Sequence, residues 1–355
     1  MKYRKSVTRT AVARLGVALA AATWLAACTD SVTGREQVPP SAGASLDLEH
    51  LAFDLPREPS ALLVTPTSFV VSDVGNGQVM VFDRAGKFQH ALGSRGNAPG
   101  QLIAPADLAL VHDSLVAVFD RVLQRVTVYA LGTPRFVGSY ELPGVVGSLH
   151  DVGDSLLMGA QDLNSHTSFQ WLGLRDSAVR IAGPLPPALR NPSAVTETYP
   201  LARAVPTKNG VRVAFTGANV VYSTDLTGTL RDSVSPPVVH RLGIPADLET
   251  RLKQKDSLVA PASVLSLMEA LPDGRTALVY MDLVRKGSNV GLNVWLSTLD
   301  ANGHPSCADL RIPVSEYSRP AFGVHGDTLF VLQRAPKAQG GAVISTIARW
   351  IVPRC

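Results

Sequence analysis

Asp113-Ser114-Leu115-Val116-Ala117-Val118-Phe119 joins a turn-forming pair to an unbroken apolar run. Such a short run, bounded by a turn, predicts a strand that is buried on both faces. The same turn-plus-strand pattern begins six times in the chain, at residues 67, 113, 154, 209, 273 and 327. The spacings of 46, 41, 55, 64 and 54 residues fit four strands and their turns per unit. The repeat therefore predicts an all-β protein that folds as a six-bladed β-propeller.

The two ends of such a ring have to meet, because an open fan would leave its first and last blades each with a bare apolar face. The segment Leu46-Asp47-Leu48-Glu49-His50-Leu51-Ala52-Phe53 alternates apolar and acidic residues at its start. We expect this N-terminal strand to close the ring by joining the last blade beside residues 344–351.

The first unit has the most detailed pattern. It contains Phe69-Val70-Val71-Ser72-Asp73, then Gly75-Asn76-Gly77, Gly86-Lys87-Phe88, Gly93-Ser94-Arg95-Gly96 and Pro99-Gly100-Gln101-Leu102. In this order of strand, turn, strand, hairpin glycine, outer strand and Gly/Pro crossover, the unit resembles an NHL repeat. The resemblance is close over residues 69–110, partial as far as residue 129, and absent as a motif afterwards. It implies a six-bladed propeller of the kind common among bacterial lipoproteins.

The N-terminus has the organisation of an export signal. A basic stretch is followed by an apolar run at residues 15–27 and then by Leu25-Ala26-Ala27-Cys28. The run has 13 residues, whereas a helix needs roughly 20 to span a bilayer, so a signal peptide is predicted. The last four residues resemble the bacterial lipobox, which implies that Cys28 is acylated before cleavage. An ordinary signal peptide cut after Ala27 is the alternative.

The residues after Cys28 are polar, with Pro39-Pro40 and no apolar period, and they predict a flexible tether. The expected division is therefore a lipoprotein signal peptide at residues 1–27, a tether at residues 28–45 and the propeller at residues 46–355. By resemblance to proteobacterial lipoproteins, Thr29 after the cysteine implies the outer membrane. We expect a lipid-anchored protein of the bacterial cell envelope that faces the periplasm or the cell surface.

The charge of the chain argues against nucleic acid as a partner. Its 33 basic and 29 acidic residues give a net charge of +4, but five basic residues and no acidic ones precede residue 28. The remainder has 28 basic residues against 29 acidic ones, which is nearly neutral. A protein that binds nucleic acid carries a basic footprint. We expect a monomer that contacts the membrane only through its lipid anchor.

Two further features of the chain have structural predictions attached. Residues 245–255 begin with proline, carry acids early and bases late, and place Leu248 and Leu252 one turn apart, which predicts a short helix between the fourth and fifth blades. The helix could cover the channel mouth or cap an exposed blade edge.

With Cys28 assigned to lipid, Cys307 and Cys355 remain as an even pair, 48 positions apart. In an oxidising compartment they could form a disulfide, and the sequence leaves both states open.

Signals for catalysis are weak. The eight histidines show no short metal-ligand spacing, and the chain has no His-Glu-x-x-His, Gly-x-Ser-x-Gly, phosphate loop or Cys-x-x-Cys. We therefore predict no metal site and no cofactor, and no catalytic residue is identified. Asp107 and His150-Asp151 could point into the axial channel, as ligands do in lactonase-type and lyase-type propellers, although such residues are more often turn formers.

Binding through the loops is the favoured function. Propellers present inter-blade loops and the turns between second and third strands on one face, where mixed charge suits recognition of a protein or glycan. The candidates on this face are Asp73, Asn76, Arg95, Asp120, Arg121, Asp282, Arg285, Lys286 and Arg334. We expect a non-catalytic binding or scaffold module for a cell-envelope protein or glycan. A metal-dependent enzyme of lactonase or lyase type is the alternative.

Overall fold

Six antiparallel sheets form the protein in the computed structural model, and they are the six blades of a β-propeller. The structure describes residues 40–48, 58–162, 166–185, 189–190, 201–253, 262–286, 289–315, 319–336 and 343–355. Cys28, the signal peptide and most of the predicted tether lie outside these residues, so their predictions stay predictions.

The first three blades each contain four consecutive strands. Blade 1 comprises β3 (Pro59–Val64), β4 (Ser68–Asp73), β5 (Gln78–Asp83) and β6 (Phe88–Leu92). Blade 2 comprises β7 (Pro105–Val111), β8 (Leu115–Asp120), β9 (Arg125–Ala130) and β10 (Arg135–Glu141). Blade 3 comprises β11 (Val146–Val152), β12 (Ser155–Asp162), β13 (Thr167–Gly173) and β14 (Val179–Pro184).

The remaining blades complete the ring. Blade 4 comprises β15 (Ala202–Thr207), β16 (Gly210–Phe215), β17 (Val221–Thr224) and β18 (Leu230–Val234). Blade 5 comprises β19 (Ser263–Ala270), β20 (Thr276–Lys286), β21 (Asn289–Leu299) and β22 (Pro305–Ile312). Blade 6 comprises β23 (Ala321–His325), β24 (Thr328–Pro336) and β25 (Val343–Ile351), and N-terminal residues complete it.

All six copies of the sequence repeat fall on the same structural position, the turn from the first to the second strand of a blade. In blade 2 this turn holds His112 and Asp113 at φ 47° and 55°, a left-handed conformation that Asp and Asn tolerate better than most residues. Gly274 at φ 83° has the same role in blade 5. The backbone demand of this turn explains why Asp, Asn and Gly recur there.

The core lies between neighbouring blades. In the apolar run of the second strand of blade 2, Val116 and Val118 pack against blade 1, whereas Ala117 and Phe119 pack against blade 3. All four side chains are fully buried. Because alternate residues of a strand point to opposite faces, a strand between two blades has to be apolar at every position, as the sequence predicted.

The N-terminal segment closes the ring, as predicted. The strand β2 (Leu46–Asp47) pairs antiparallel with β25, with Leu46 opposite Ile347. A second short strand, β1 (Ser41–Ala42), pairs with the end of β25. Within the described residues, strand pairing therefore begins at Ser41, ahead of the expected start of the propeller at residue 46, because β25 is long enough to accept both strands. Residues 49–53 of the predicted closing strand lie outside the described residues.

The predicted helix between blades 4 and 5 is α1 (Leu248–Lys253), shorter at its start than the expected 245–255. Leu248 is buried with Ala262, and Leu252 packs beside them. Within the described residues, no helix combines the length and the apolar character that crossing a membrane requires.

Cys307 in β22 and Cys355 beyond β25 are joined by a disulfide, with their Cα atoms 5.4 Å apart. The bond ties the outer strand of blade 5 to the tail of blade 6. Arg275 of blade 5 holds the same tail by donating a hydrogen bond to the carbonyl of Pro353.

Candidate functional site

The turns between second and third strands and the crossovers between blades lie at one end of the ring, because the strands alternate in direction within every blade. We call this end the upper face. It is where the sequence placed the candidate binding residues.

Three of those candidates are buried, so their expected exposure to a partner was wrong. Asp73, Asp120 and Asp282 are at most 1% exposed. They occupy equivalent positions, each on the second strand of a blade opposite the first residue of the innermost strand. Their carboxylates are turned inward because the chain entering each blade needs an acceptor for its backbone amides.

Asp120 shows how this works. One of its oxygens accepts hydrogen bonds from the amides of Ile103 and Ala104 at 2.6 and 2.9 Å, and the other accepts from Val122 and Leu123 at 3.0 Å each. Four amides on one carboxylate leave little capacity for an outside ligand. The residue fixes the crossover from blade 1 to blade 2.

The other candidates are placed as follows. Asn76 donates a hydrogen bond to Asp73 at 2.7 Å and is half-buried. Arg95 and Arg121 are exposed on the upper face. Arg285 and Lys286 lie on adjacent positions near the β20–β21 hairpin, and Arg334 is half-buried in β24. The structure does not gather the nine residues into one cluster.

A cluster of ionisable groups lies instead in the axial channel, where Asp107, His150, Arg203 and Glu269 line one cavity. They come from the innermost strands of blades 2, 3, 4 and 5 in order. Asp107 accepts a hydrogen bond from the amide of Leu149 at 2.7 Å. Two of the predicted axial residues, Asp107 and His150, therefore do line the channel, whereas Asp151 is not among its lining residues.

Burial changes the acidity of this axial cluster. Desolvation raises the pKa of Glu269 to about 8 and that of Asp107 to about 6, despite the opposing charge of Arg203. Desolvation and the charge of Arg203 lower the pKa of His150 to about 4. His150 Nδ1 lies 3.6 Å from a carboxyl oxygen of Glu269, too far for a hydrogen bond. Glu269 is therefore protonated and His150 neutral at pH 7.

The space around the axial cluster limits its chemistry. The cavity has a volume of about 30 Å³, which accommodates roughly two water molecules. A carboxyl group of raised pKa can act as a general acid, and the space beside Glu269 is of the size of water molecules. Among the described residues, no three His, Cys, Asp or Glu side chains converge as metal ligands.

A second charged network supports the crossover from blade 4 to blade 5. Asp309 sits in β22 at φ 48°, and one of its oxygens accepts hydrogen bonds from three consecutive amides, those of Val239, His240 and Arg241, at 2.7, 2.9 and 3.2 Å. Its other oxygen pairs with Arg241 Nε at 2.9 Å. Three amides converging on one anionic oxygen form a tight anchor for the chain.

Arg241 also contacts blade 4, on the side away from Asp309. Its guanidinium donates hydrogen bonds to Asn219 Oδ1 at 2.7 Å and to the carbonyl of Pro236 at 2.9 Å. It also lies over the ring of Tyr280, 4.1 Å from the centroid. The Arg241 and Asp309 side chains are both 0% exposed. The crossover is thus fixed to blade 4 and to blade 5 at once.

The anchored crossover presents three aliphatic side chains to solvent. Val238, Val239 and Leu242 are 46, 48 and 47% exposed, and we call them the aliphatic patch. His240 lies between them in the chain and stacks on Trp295, with ring centroids 6.0 Å apart. The Trp295 indole is fixed by a hydrogen bond to Asp282 at 2.7 Å. The predicted candidate Asp282 therefore supports this surface from below.

Sequence reasoning missed the aliphatic patch, Arg241 and Asp309. A usable signal was present, because Pro236-Pro237-Val238-Val239 is an apolar run that two prolines remove from any central strand. Reasoning also missed Arg203 and Glu269, whose signal was a single charge within the apolar pattern of an innermost strand.

Comparison with known proteins agrees with the fold. The sequence profile of a family described as a 6-bladed beta-propeller, DUF5128, matches residues 55–167, which is less than half of the chain. No curated protein matches the chain.

Two solved bacterial structures are similar over most of their length. A presumed exported protein from Bacteroides fragilis NCTC 9343 is 14% identical with a TM-score of 0.60, and the alignment covers 89% of this chain and 96% of that one. A DUF4221 family member from Bacteroides vulgatus ATCC 8482 is 11% identical with a TM-score of 0.61, covering 89% and 98%. At these identities the likeness is one of fold.

Proposed function

We propose that this protein is a non-catalytic docking module of the bacterial cell envelope, which binds a partner protein through the aliphatic patch on its upper face. The observation that carries the proposal is the anchoring of Val238, Val239 and Leu242 on a crossover fixed by Asp309 and Arg241. Exposed side chains of this kind contribute to binding when they are held in place before the partner arrives, because little conformational entropy is then lost.

A protein partner fits this surface better than a glycan. Protein interfaces have an apolar centre with aromatic neighbours and a polar rim. The aliphatic patch offers three branched side chains beside the His240–Trp295 stack.

The enzyme alternative rests on the axial cluster. It would need a substrate whose reacting atom reaches Glu269 through a cavity of about 30 Å³. Metal analysis of the purified protein separates the two proposals. A stoichiometric ion lost on Asp107→Asn would favour the metal-dependent enzyme, and a metal-free protein that binds its partner would favour docking.

Attachment to lipid at Cys28 is part of the same proposal. It is supported by the lipobox resemblance and by the fold likeness to an exported bacterial protein. We also propose that the ring is a divergent NHL-repeat propeller of the outer membrane. Cys28→Ser should abolish fatty-acid labelling and globomycin should block processing of the precursor. Continued labelling of the variant would contradict the anchor.

The docking proposal is tested with matched surface variants. Val238→Thr with Val239→Thr and Leu242→Gln makes the patch polar and nearly preserves its shape, whereas Leu226→Gln alters an equally exposed residue on the opposite face. The immobilised protein should retain a specific envelope protein that is lost with the patch variant and kept with Leu226→Gln. Equal retention by both variants would contradict the proposal.

A further inference from the structure

The seam where the N-terminal segment closes the ring contains a second cavity, separate from the upper face and the axial channel. Its volume is about 280 Å³, and its lining residues come from the N-terminal segment, blade 1 and blade 6. They are Ala44, Ser45, Leu46, Phe69, Arg84, Ile347 and Arg349. We call this space the seam cavity.

The charge in the seam cavity is of one sign. Arg84 and Arg349 are its two ionisable residues, and neither forms an ion pair with a carboxylate of the described residues. Arg84 donates a hydrogen bond to the carbonyl of Thr65 at 3.2 Å, and Arg349 donates to that of Ala44 at 3.3 Å. Burial and the nearby positive charge of Arg349 lower the pKa of Arg84. The seam therefore holds two guanidinium groups that repel each other.

Apart from Ser45, the rest of the lining is apolar. The Arg84 guanidinium lies 4.4 Å from the centroid of Phe69 and 5.0 Å from that of Phe330, so its ring-facing side is occupied. Leu46 and Ile347, which are paired across the closing strand, line the cavity beside the arginines. A ligand that fits has an anionic group for the two guanidiniums and an apolar part for these walls.

The walls of the seam cavity are closely held. At Gly86, which has φ 83°, an added Cβ would lie 2.5 Å from the carbonyl oxygen of Asp47, so the blade 1 turn packs directly on the closing strand. The amide of Gly43 donates to the carbonyl of Arg349 at 2.8 Å. The cavity is therefore bounded by paired backbone.

We propose that the seam cavity binds a small organic acid, with its carboxylate between Arg84 and Arg349 and a short apolar tail against Leu46, Phe69 and Ile347. Because the N-terminal segment forms one wall, the ligand binds only the closed ring. Binding then stabilises closure by mass action. Binding of the acid would therefore be coupled to the pairing of the N-terminal segment with β25, and this segment leads to the proposed membrane anchor.

The test uses hexanoate as the probe, at constant ionic strength, with the purified exported protein. Hexanamide matches its tail without the charge, and acetate matches its charge with almost no tail. Calorimetry should show saturable binding of hexanoate at one site per chain, at least tenfold tighter than either control. The midpoint temperature of thermal unfolding should rise more with hexanoate than with hexanamide or acetate.

Substitutions assign the site. Arg349→Gln removes an exposed guanidinium and should lower the affinity for hexanoate at least tenfold with the fold intact. Arg84→Lys keeps the charge and should lower this affinity less than Arg84→Gln does. Arg135→Gln, on the outer strand of blade 2, is the control and should change nothing. Equal affinity for hexanamide, an Arg349→Gln affinity within twofold of the parent, or the absence of saturable binding would each overturn the proposal.

Discussion

The axial cluster and the crossover network both bury opposite charges between blades, yet they are built differently. In the crossover network, each oxygen of Asp309 accepts a hydrogen bond at 2.9 Å or less. In the axial cluster, His150 Nδ1 lies 3.6 Å from Glu269, beyond hydrogen-bond distance. Each network also buries one nitrogen without a hydrogen-bond partner among the described residues, Arg241 Nη1 in the first and His150 Nε2 in the second. The first network holds a pair of charges, whereas the second contains a protonated acid and a neutral base.

The difference bears on which of the two sites suits the proposed function. Groups with shifted pKa values often mark active sites, and the cavity that the axial groups line has a volume of about 30 Å³. The crossover network does what a docking site needs, because it fixes the backbone behind three exposed aliphatic side chains. Four predictions test this contrast, beginning with the largest effect.

Asp309→Asn should be the most damaging substitution. Asparagine tolerates the left-handed conformation at this position, so the change chiefly removes the negative charge and leaves the buried Arg241 without a counter-charge. Breaking a buried ion pair from one side costs about 3–5 kcal/mol. Urea unfolding measures the loss, and Arg241→Met combined with Asp309→Asn should recover part of it, because the double variant no longer buries an unbalanced charge.

Asp120→Asn is the matched control for that experiment. Its carboxylate also fixes a crossover, but through backbone amides alone. We expect a loss of about 1.5–3 kcal/mol, in the range for hydrogen bonds to a charged group. If Asp120→Asn costs as much as Asp309→Asn, the distinction between an amide anchor and an ion-pair anchor is wrong.

The disulfide should have the next largest effect. Cys307 lies two residues before Asp309 in β22, so the bond braces the strand that carries the anchor. Cys355→Ser should lower the free energy of unfolding by about 2–4 kcal/mol. Thiol titration of the denatured, unreduced and lipidated protein should find no free cysteine, and two free thiols would refute the bond.

The axial cluster should be visible in the pH dependence of stability. The pKa of Glu269 is raised from 4.5 to about 8, so the folded state holds a proton that the unfolded state releases, and stability falls as pH rises through this window. Because the pKa of His150 is lowered to about 4, stability rises with pH up to about pH 6.5. The raised pKa of Asp107, about 6, has the opposite effect and lowers stability as pH rises to 6. Above pH 6.5, Glu269 alone among these three groups still changes the stability.

We therefore expect the free energy of unfolding to fall by about 1–2 kcal/mol between pH 6.5 and 8. Glu269→Gln cannot titrate and should flatten the curve in this range. Asp309→Asn should lower the whole curve and leave its slope unchanged. An unchanged slope in Glu269→Gln would show that the axial carboxyl is ionised in the folded protein.

The aliphatic patch should contribute least to stability. Val239→Thr alters a side chain that is half exposed, and surface changes of this kind are usually within about 0.5 kcal/mol. Urea unfolding of the Val239→Thr and Asp309→Asn variants compares the free energy of unfolding lost at the exposed residue with that lost at its buried anchor. A loss above about 1 kcal/mol would mean that the patch packs against the propeller rather than facing a partner.

The sequence was informative where structure depends on local backbone demands. Five of the six turns contain Asp, Asn or Gly because they require a tight or left-handed conformation, whereas blade 1 uses Thr65-Pro66-Thr67. The closing strand was recognisable from its alternation at Leu46 and Leu48. The anchor was not predictable, because Arg241 and Asp309 are 68 positions apart and meet only through the irregular register of β22. The axial cluster likewise assembles residues from four blades.

Site-specific photo-crosslinking in cells tests the docking claim most directly. A benzoylphenylalanine at position 239 probes the aliphatic patch, and the same group at Leu226, which is 57% exposed on the opposite face, controls for exposure. The account predicts a discrete crosslinked protein at position 239 that is absent at position 226 and disappears when Asp309→Asn releases the crossover. No crosslink at position 239, or the same product at both positions, would contradict it.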